Sequence, residues 1–196
     1  IQEANRFFGI YFKGSMFAIA KDVNIQIEFN PNQVIAYRLI GYENRKLRPE
    51  DFKNDAIDAG ELGSNHSVTA LYEIIPAGSK SKFYTEADEL KYTTITPTEN
   101  KYTNELATIK FRYKKPDGDQ SIEMVQTIEN KSILLQNASD DFKFSNAVAW
   151  FGLKLRDSKL IANSSSKDII ALAKQGLSND SEGYKAEFIR LVEAAN

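Results

Sequence analysis

The chain has 196 residues, of which 42% are hydrophobic, and a formal net charge of −2. That length suits one domain, with or without a small appendage, and suffices to bury a core without staples. With no cysteine and one histidine, disulfides, thiol catalysis, thiolate metal sites and a multi-histidine centre are excluded, and without a basic excess nucleic acid and a polybasic membrane contact are poor expectations.

Residues 1–20 place Ile1, Ala4, Phe7, Phe8, Tyr11 and Phe12 at near-helical spacing, weakened by Gly9 and Gly14. We read a helix or the tail of a preceding domain. The period then becomes two. Val23, Ile25, Ile27 and Phe29 share one side, while Asn24, Gln26 and Glu28 share the other, the pattern of a half-buried strand. Asn30-Pro31-Asn32 breaks it. Val34–Tyr42, apolar on both faces, reads as a central strand forming an antiparallel hairpin with the first.

A polar connection follows, with a short helical turn expected at Pro49–Asn54. Val68–Ile75 alternates as a third strand. Residues 76–105 read as a long loop of the kind that is often functional. The clearest hairpin has Pro116-Asp117-Gly118-Asp119 between two alternating runs, with Asp-Gly expected at positive φ. Ala107, Ile109, Phe111 and Tyr113 are expected inward and Lys110, Arg112 and Lys114 outward, with Glu123 across the ladder from one of the cations.

From about Asp140 the period is helical. Ser145 is expected to cap a well-buried helix over 146–157, Ser164–Ser166 to cap a second over Lys167–Gln175, and Gly176 to stop it. The last helix starts near Asp180, with Tyr184, Phe188, Leu191, Val192 and Ala195 as its stripe. Strands followed by helices predict an α+β fold. The expected organisation is residues 1–21 as a linker or helix, 22–139 as an antiparallel β-sandwich-like domain and 140–196 as a bundle of about three helices packed on the sheet.

Chemistry is sparse along this chain. His66, with Ser64 or Ser67 and the nearby acids Asp58 and Glu61, could form a hydrolytic site, since a general base needs a nucleophile and an orienting carboxylate. A turn histidine at a strand start explains the same residues more simply. Asp51, Asp55, Asp58 and Glu61 lack the fixed offsets of a calcium loop and read as a solvated stretch. Trp150 and Phe151, with Tyr11, Phe12 and Phe17, read as core. Tyr84, Tyr92 and Tyr102 are the candidates for an aromatic sugar platform. Neither a cofactor nor a metal is expected.

Several segments carry a resemblance: "FAIAKDVNIQIEFNPNQVIAYRLIGYENR", "EDFKNDAIDAGELGSNHSVTALYEIIP", "ATIKFRYKKPDGD" and "DIIALAKQGLSNDSEGYKAEFIRLVEAA". Together they resemble the C-terminal region of bacterial von Willebrand factor type A (VWA) proteins of the YfbK type, over nearly the whole chain. The resemblance implies a VWA domain upstream, joined through residues 1–21, and a cell-envelope setting, often as a lipoprotein on the periplasmic or outer surface. It brings no catalytic residues. The Asp-x-Ser-x-Ser metal motif of VWA domains is not present here, and Asp157-Ser158-Lys159 does not match it.

The expected function is a non-enzymatic structural or protein-interaction module. Its partner would be a protein, including its own VWA domain, with any membrane attachment through an anchor outside this segment. Recognition is expected in loops 45–67 and 77–105, with Asp58, Glu61, His66, Tyr84, Tyr92 and Tyr102 as candidate contacts. The alternatives are a carbohydrate-binding module or a hydrolase using His66.

Overall fold

A computed structural model describes residues 17–42, 48–54, 59–64, 66–84, 102–161 and 165–195. Among them the chain is α+β, two antiparallel sheets followed by three helices. The larger sheet has the order β3-β1-β5-β6, built from β1 (Ala18–Phe29), β3 (Gly60–Gly63), β5 (Glu105–Lys114) and β6 (Ser121–Glu129). The smaller pairs β2 (Val34–Ile40) with β4 (Leu71–Pro76). The helices are α1 (Asp140–Leu155), α2 (Ser166–Gln175) and α3 (Tyr184–Ala194).

The expected hairpin between the first two strands does not form, because β1 pairs with β5 and β2 with β4. Asn30 separates them. Its side-chain amide donates to the carbonyls of Tyr102 and Glu105 at 2.9 and 2.8 Å, and its backbone N–H to Leu106, fixing the end of β1 on β5. Gln33 then accepts from Ala77, which hands the chain to β4. The other differences are local. Residues 18–20 are strand, not the end of a helix, and residues 1–16 lie outside the described residues. Gly60–Gly63, read as loop, is a short strand against β1. The third strand begins at Leu71 rather than Val68. The turn at Pro49–Lys53 is present, as a 3-10 helix.

The β5–β6 hairpin forms as expected, with Arg112 opposite Glu123. Its connection is longer than a tight Asp-Gly turn. Gly118 donates to Lys115 at 3.0 Å without positive φ, so Pro116 occupies the second position of an ordinary turn and Gly118 the fourth. Lys114 does not face water. It is buried, and its ammonium lies 2.8 Å from Asp22. Asp22 has φ +53 where the β1–β5 register shifts between Lys21 and Asn24. This bulge carries the carboxylate to Lys114.

The large sheet is covered on opposite faces at its two ends. Register puts Ile25, Ile27 and Phe29 of β1 on the same face as Phe111, Ile109 and Ala107 of β5. At one end of that face Phe29 packs against Tyr37 and Tyr72 of the small sheet, with ring centroids 4.5 and 5.6 Å apart. Toward the other end Ile25 is 48% exposed. Asn24 is instead buried on the reverse face. There the Pro49–Lys53 turn lies alongside β1, and the carbonyl of buried Phe52 accepts from Arg112. The half-buried strand therefore exists, with its burial partly inverted.

The helices enclose their own core, in which Ile169, Ala173, Ala147 and Val192 are fully buried. Phe188 meets Phe144 and Phe151 edge-on. Helix α1 begins six residues earlier than expected, because Ser139 rather than Ser145 caps it by accepting from Phe142, and Asp140 and Asp141 favour the first turn. Val148 and Leu155 are exposed, so this helix is not buried all round. Trp150 and Phe151 pack against the core as expected, whereas Phe17 is exposed. Ser165 caps α2 by accepting from Asp168, and Lys154 of α1 donates to the buried hydroxyl of Ser166.

Two residues close this bundle. A Cβ on Gly176 would fall 2.5 Å from the Asp140 carbonyl oxygen and 2.7 Å from Phe144 Cβ, so the end of α2 meets the first turn of α1 backbone to backbone. Lys185, at the start of α3, donates to Gly176 and Ser178 carbonyls at 2.9 Å and to the Asp141 carboxylate at 2.7 Å, above the Phe144 ring. Asp180 accepts from the N–H groups of Lys185 and Ala186, which caps α3.

Gly176→Ala is expected to cost about 1–3 kcal/mol by forcing these helices apart. Gly118→Ala, whose added Cβ meets Lys115 at an ordinary 3.4 Å, is expected to stay within about 0.5 kcal/mol. Urea midpoints of the two variants check this.

Acid sensitivity is the second expectation. A hydrogen bond from Lys114 holds the Asp22 carboxyl below its ordinary 3.8, and the backbone N–H of Lys185 does the same for Asp180. These folded values are depressed, so the stability they contribute is complete above the unfolded value. It is lost as pH falls through the folded values. Asp22→Asn should lower the neutral-pH urea midpoint and make the decline below about pH 4 shallower; an unchanged acid limb would contradict the pairing.

Candidate functional site

The stretch that holds the histidine comes together in part. Glu61 and Leu62 of β3, with Gly63, His66, Ser67 and Val68, line a shallow depression of about 240 Å³ beside Ala18. His66 is exposed, and its backbone N–H donates to Gly63 at 3.2 Å. Ser64 donates its backbone N–H to Phe17 and is not part of the lining. Asp58 and Tyr92 lie outside the described residues, as does Asp55. Asp51 is paired with Arg48 at 2.9 Å.

The tyrosines are placed separately. Tyr84 is half-buried and its N–H reaches the Ser81 carbonyl at 3.4 Å. Tyr102 is 52% exposed and lines a depression of about 350 Å³ with Phe29 to Asn32 and Glu105.

A further concavity lies on the small sheet, and it was not signalled by any motif. The β2–β4 register sets Ala36 opposite Ile75, Tyr37 opposite Ile74 and Arg38 opposite Glu73. Alternation sends Tyr37 and Tyr72 toward Phe29, and burial beside Tyr37 pushes the Tyr72 phenol above its ordinary 10.0. Ala36, Arg38, Glu73 and Ile75 occupy the other face.

After Pro76 the chain reverses through Gly78, whose φ of +78 suits glycine. The following residues Ser79, Lys80, Ser81 and Phe83 form one bank of a groove of about 370 Å³, and Leu160, from the loop after α1, forms another. Phe83 accepts order from Ser81, whose hydroxyl takes the Phe83 N–H at 3.2 Å.

Charge in the groove is arranged. Arg38 pairs with Glu73 across the strands and reaches the Leu160 carbonyl at 3.4 Å, so one guanidinium ties the small sheet to the helical part. Lys80 adds a cation to the lining. The rest is mainly apolar and partly exposed, with Tyr37 at 57% and Phe83 at 44%. An apolar floor with a few oriented polar groups is the usual composition of a recognition surface. The sequence signal that could have found it is a pair of opposite charges, Arg38 and Glu73, each set within an otherwise apolar strand.

The family model described as "Uncharacterized protein YfbK, C-terminal" matches residues 14–196. The chain is 40% identical over 198 residues to the protein named Uncharacterized protein YfbK of Escherichia coli strain K12. All of this chain is covered, but only 33% of that relative. No solved structure matches.

Arg38→Met is expected to cost no more than about 1 kcal/mol, because the pair is partly solvated. It should nevertheless speed amide exchange of residues 158–161 several-fold, whereas Arg48→Met should leave that segment unchanged. Exchange mass spectrometry of both variants checks this.

Proposed function

Because the chain belongs to the YfbK C-terminal family, we propose that it is a non-catalytic protein-interaction module that positions a von Willebrand factor type A domain within a bacterial cell-envelope protein. The chain spans about a third of the relative it matches, which leaves room for such a domain. The observation that carries the reading is the groove between β2, β4, the 79–83 turn and Leu160. Its mechanism is surface complementarity. Apolar side chains at Ile75 and Phe83 desolvate an incoming segment, and Arg38, held by Glu73 and the Leu160 carbonyl, offers a pre-oriented cation. The periplasmic or outer-surface location, and a lipid anchor outside this segment, belong to the same proposal.

Calorimetry of residues 1–196 against the separately expressed VWA domain of the same full-length protein tests it. Binding on the order of micromolar is expected, weakened roughly tenfold or more by Phe83→Ser, an exposed position that should not disturb folding. Undetectable binding, or binding indifferent to Phe83→Ser, would refute the proposal.

A further inference from the structure

We infer that β6 is a self-association edge, along which a second copy of this chain pairs antiparallel across a two-fold axis. Among the described residues the sheet order leaves β6 at one margin of the larger sheet. Margins of this kind are ordinarily guarded by shortness, proline, lysine or a bulge. The opposite margin, β3, has four residues and an irregular register with β1. In the small sheet β4 carries Pro76 and β2 carries Arg38. By contrast β6 has nine residues, no lysine and no proline, and it pairs without interruption from Ser121 to Ile128. Met124 and Val125, at its centre, are 57% and 58% exposed.

Backbone parity fixes which groups are available. Asn130 donates inward to the Asn104 carbonyl. Alternation along the strand then turns the N–H and C=O groups of Glu123, Val125 and Thr127 outward. The Gln126 side chain folds over to donate to the Thr127 carbonyl, in keeping with an outward-facing group.

Charge selects the register. A two-fold centred on Val125 sets Val125 against itself, Glu123 against Thr127, Ser121 against Glu129 and Ile122 against Ile128. No like charges oppose. Moving the centre to Gln126 sets Glu123 against Glu129, which is unfavourable. The strand thus accepts a two-fold centred on Val125 without opposing like charges and is frustrated when the centre moves to Gln126. Pairing there also joins two apolar faces, because Met124 and Ile122 lie across from Phe111 and Tyr113.

The absence of cysteine makes the test clean. In the inferred dimer Val125 faces its counterpart at about 5.5 Å between Cα atoms, inside the roughly 4.4–6.8 Å that a disulfide accepts. Under mild oxidation Val125→Cys should form a cross-linked dimer roughly tenfold or more faster than Lys174→Cys, an exposed position on α2. Light scattering of the unmodified chain should show a mass rising toward twice 22.1 kDa with concentration, and Val125→Lys should return it to a single chain with its circular dichroism unchanged. A single-chain mass at every concentration, or equal cross-linking at the two cysteines, would overturn the inference and leave the edge to a different polypeptide.

Discussion

A sheet must bury its apolar face, and this one has more apolar face than the described elements cover. Register gathers Ile25, Ile27, Phe29, Ile109, Phe111, Tyr113, Ile122, Met124 and Ile128 on a single side. The small sheet shields that side where Phe29 meets Tyr37 and Tyr72, while Ile25 and Met124 remain about half exposed. The imbalance follows from two local devices. Asn30 directs β2 away from β1, so only two strands return over the face. The Pro49–Lys53 turn places the remaining cover on the reverse side, where the Phe52 carbonyl accepts from Arg112. Contiguous exposed apolar surface on a folded chain is a mark of association, and it accompanies the groove on the small sheet that carries the functional reading.

Rigidity comes from the helical part. Its core is apolar and its closure is geometric. Gly176 permits backbone contact that no other residue allows, and Lys185 then satisfies the Gly176 and Ser178 carbonyls while paired with Asp141. Ile40 and Leu71 of the small sheet face Phe144 and Val148 of α1 across a depression of about 330 Å³. Arg38 adds a second link at Leu160. The groove on the small sheet therefore sits beside a stiff support, an arrangement that lowers the entropy lost on binding.

The period of the side chains made the α+β class, the β5–β6 hairpin and the last two helices legible, because each is set by neighbours in sequence. Pairing was not legible, since which strand β1 joins depends on an asparagine amide reaching across 72 and 75 positions to carbonyls it cannot signal. The buried Lys114 was misread for the same reason. Its partner, Asp22, reaches it through a bulge that leaves no mark in a two-residue pattern. The helix start moved because Ser139 and Ser145 both precede apolar runs, and the acidic pair Asp140-Asp141 decided between them. One bank of the groove, residues 79–83, lies within the 77–105 loop expected to carry recognition, whereas its β2, β4 and Leu160 parts carried no signal because they come from separate stretches.

What unites the sheet, the groove and the β6 margin is the claim that apolar surface here is reserved for another polypeptide. Amide exchange along β6 at rising protein concentration tests it most directly. The outward N–H groups of Glu123, Val125 and Thr127 should slow with concentration, while those of Ile122 and Met124, bonded within the sheet, stay constant. Exchange at all five positions that ignores concentration would contradict the pairing of β6 with a second copy.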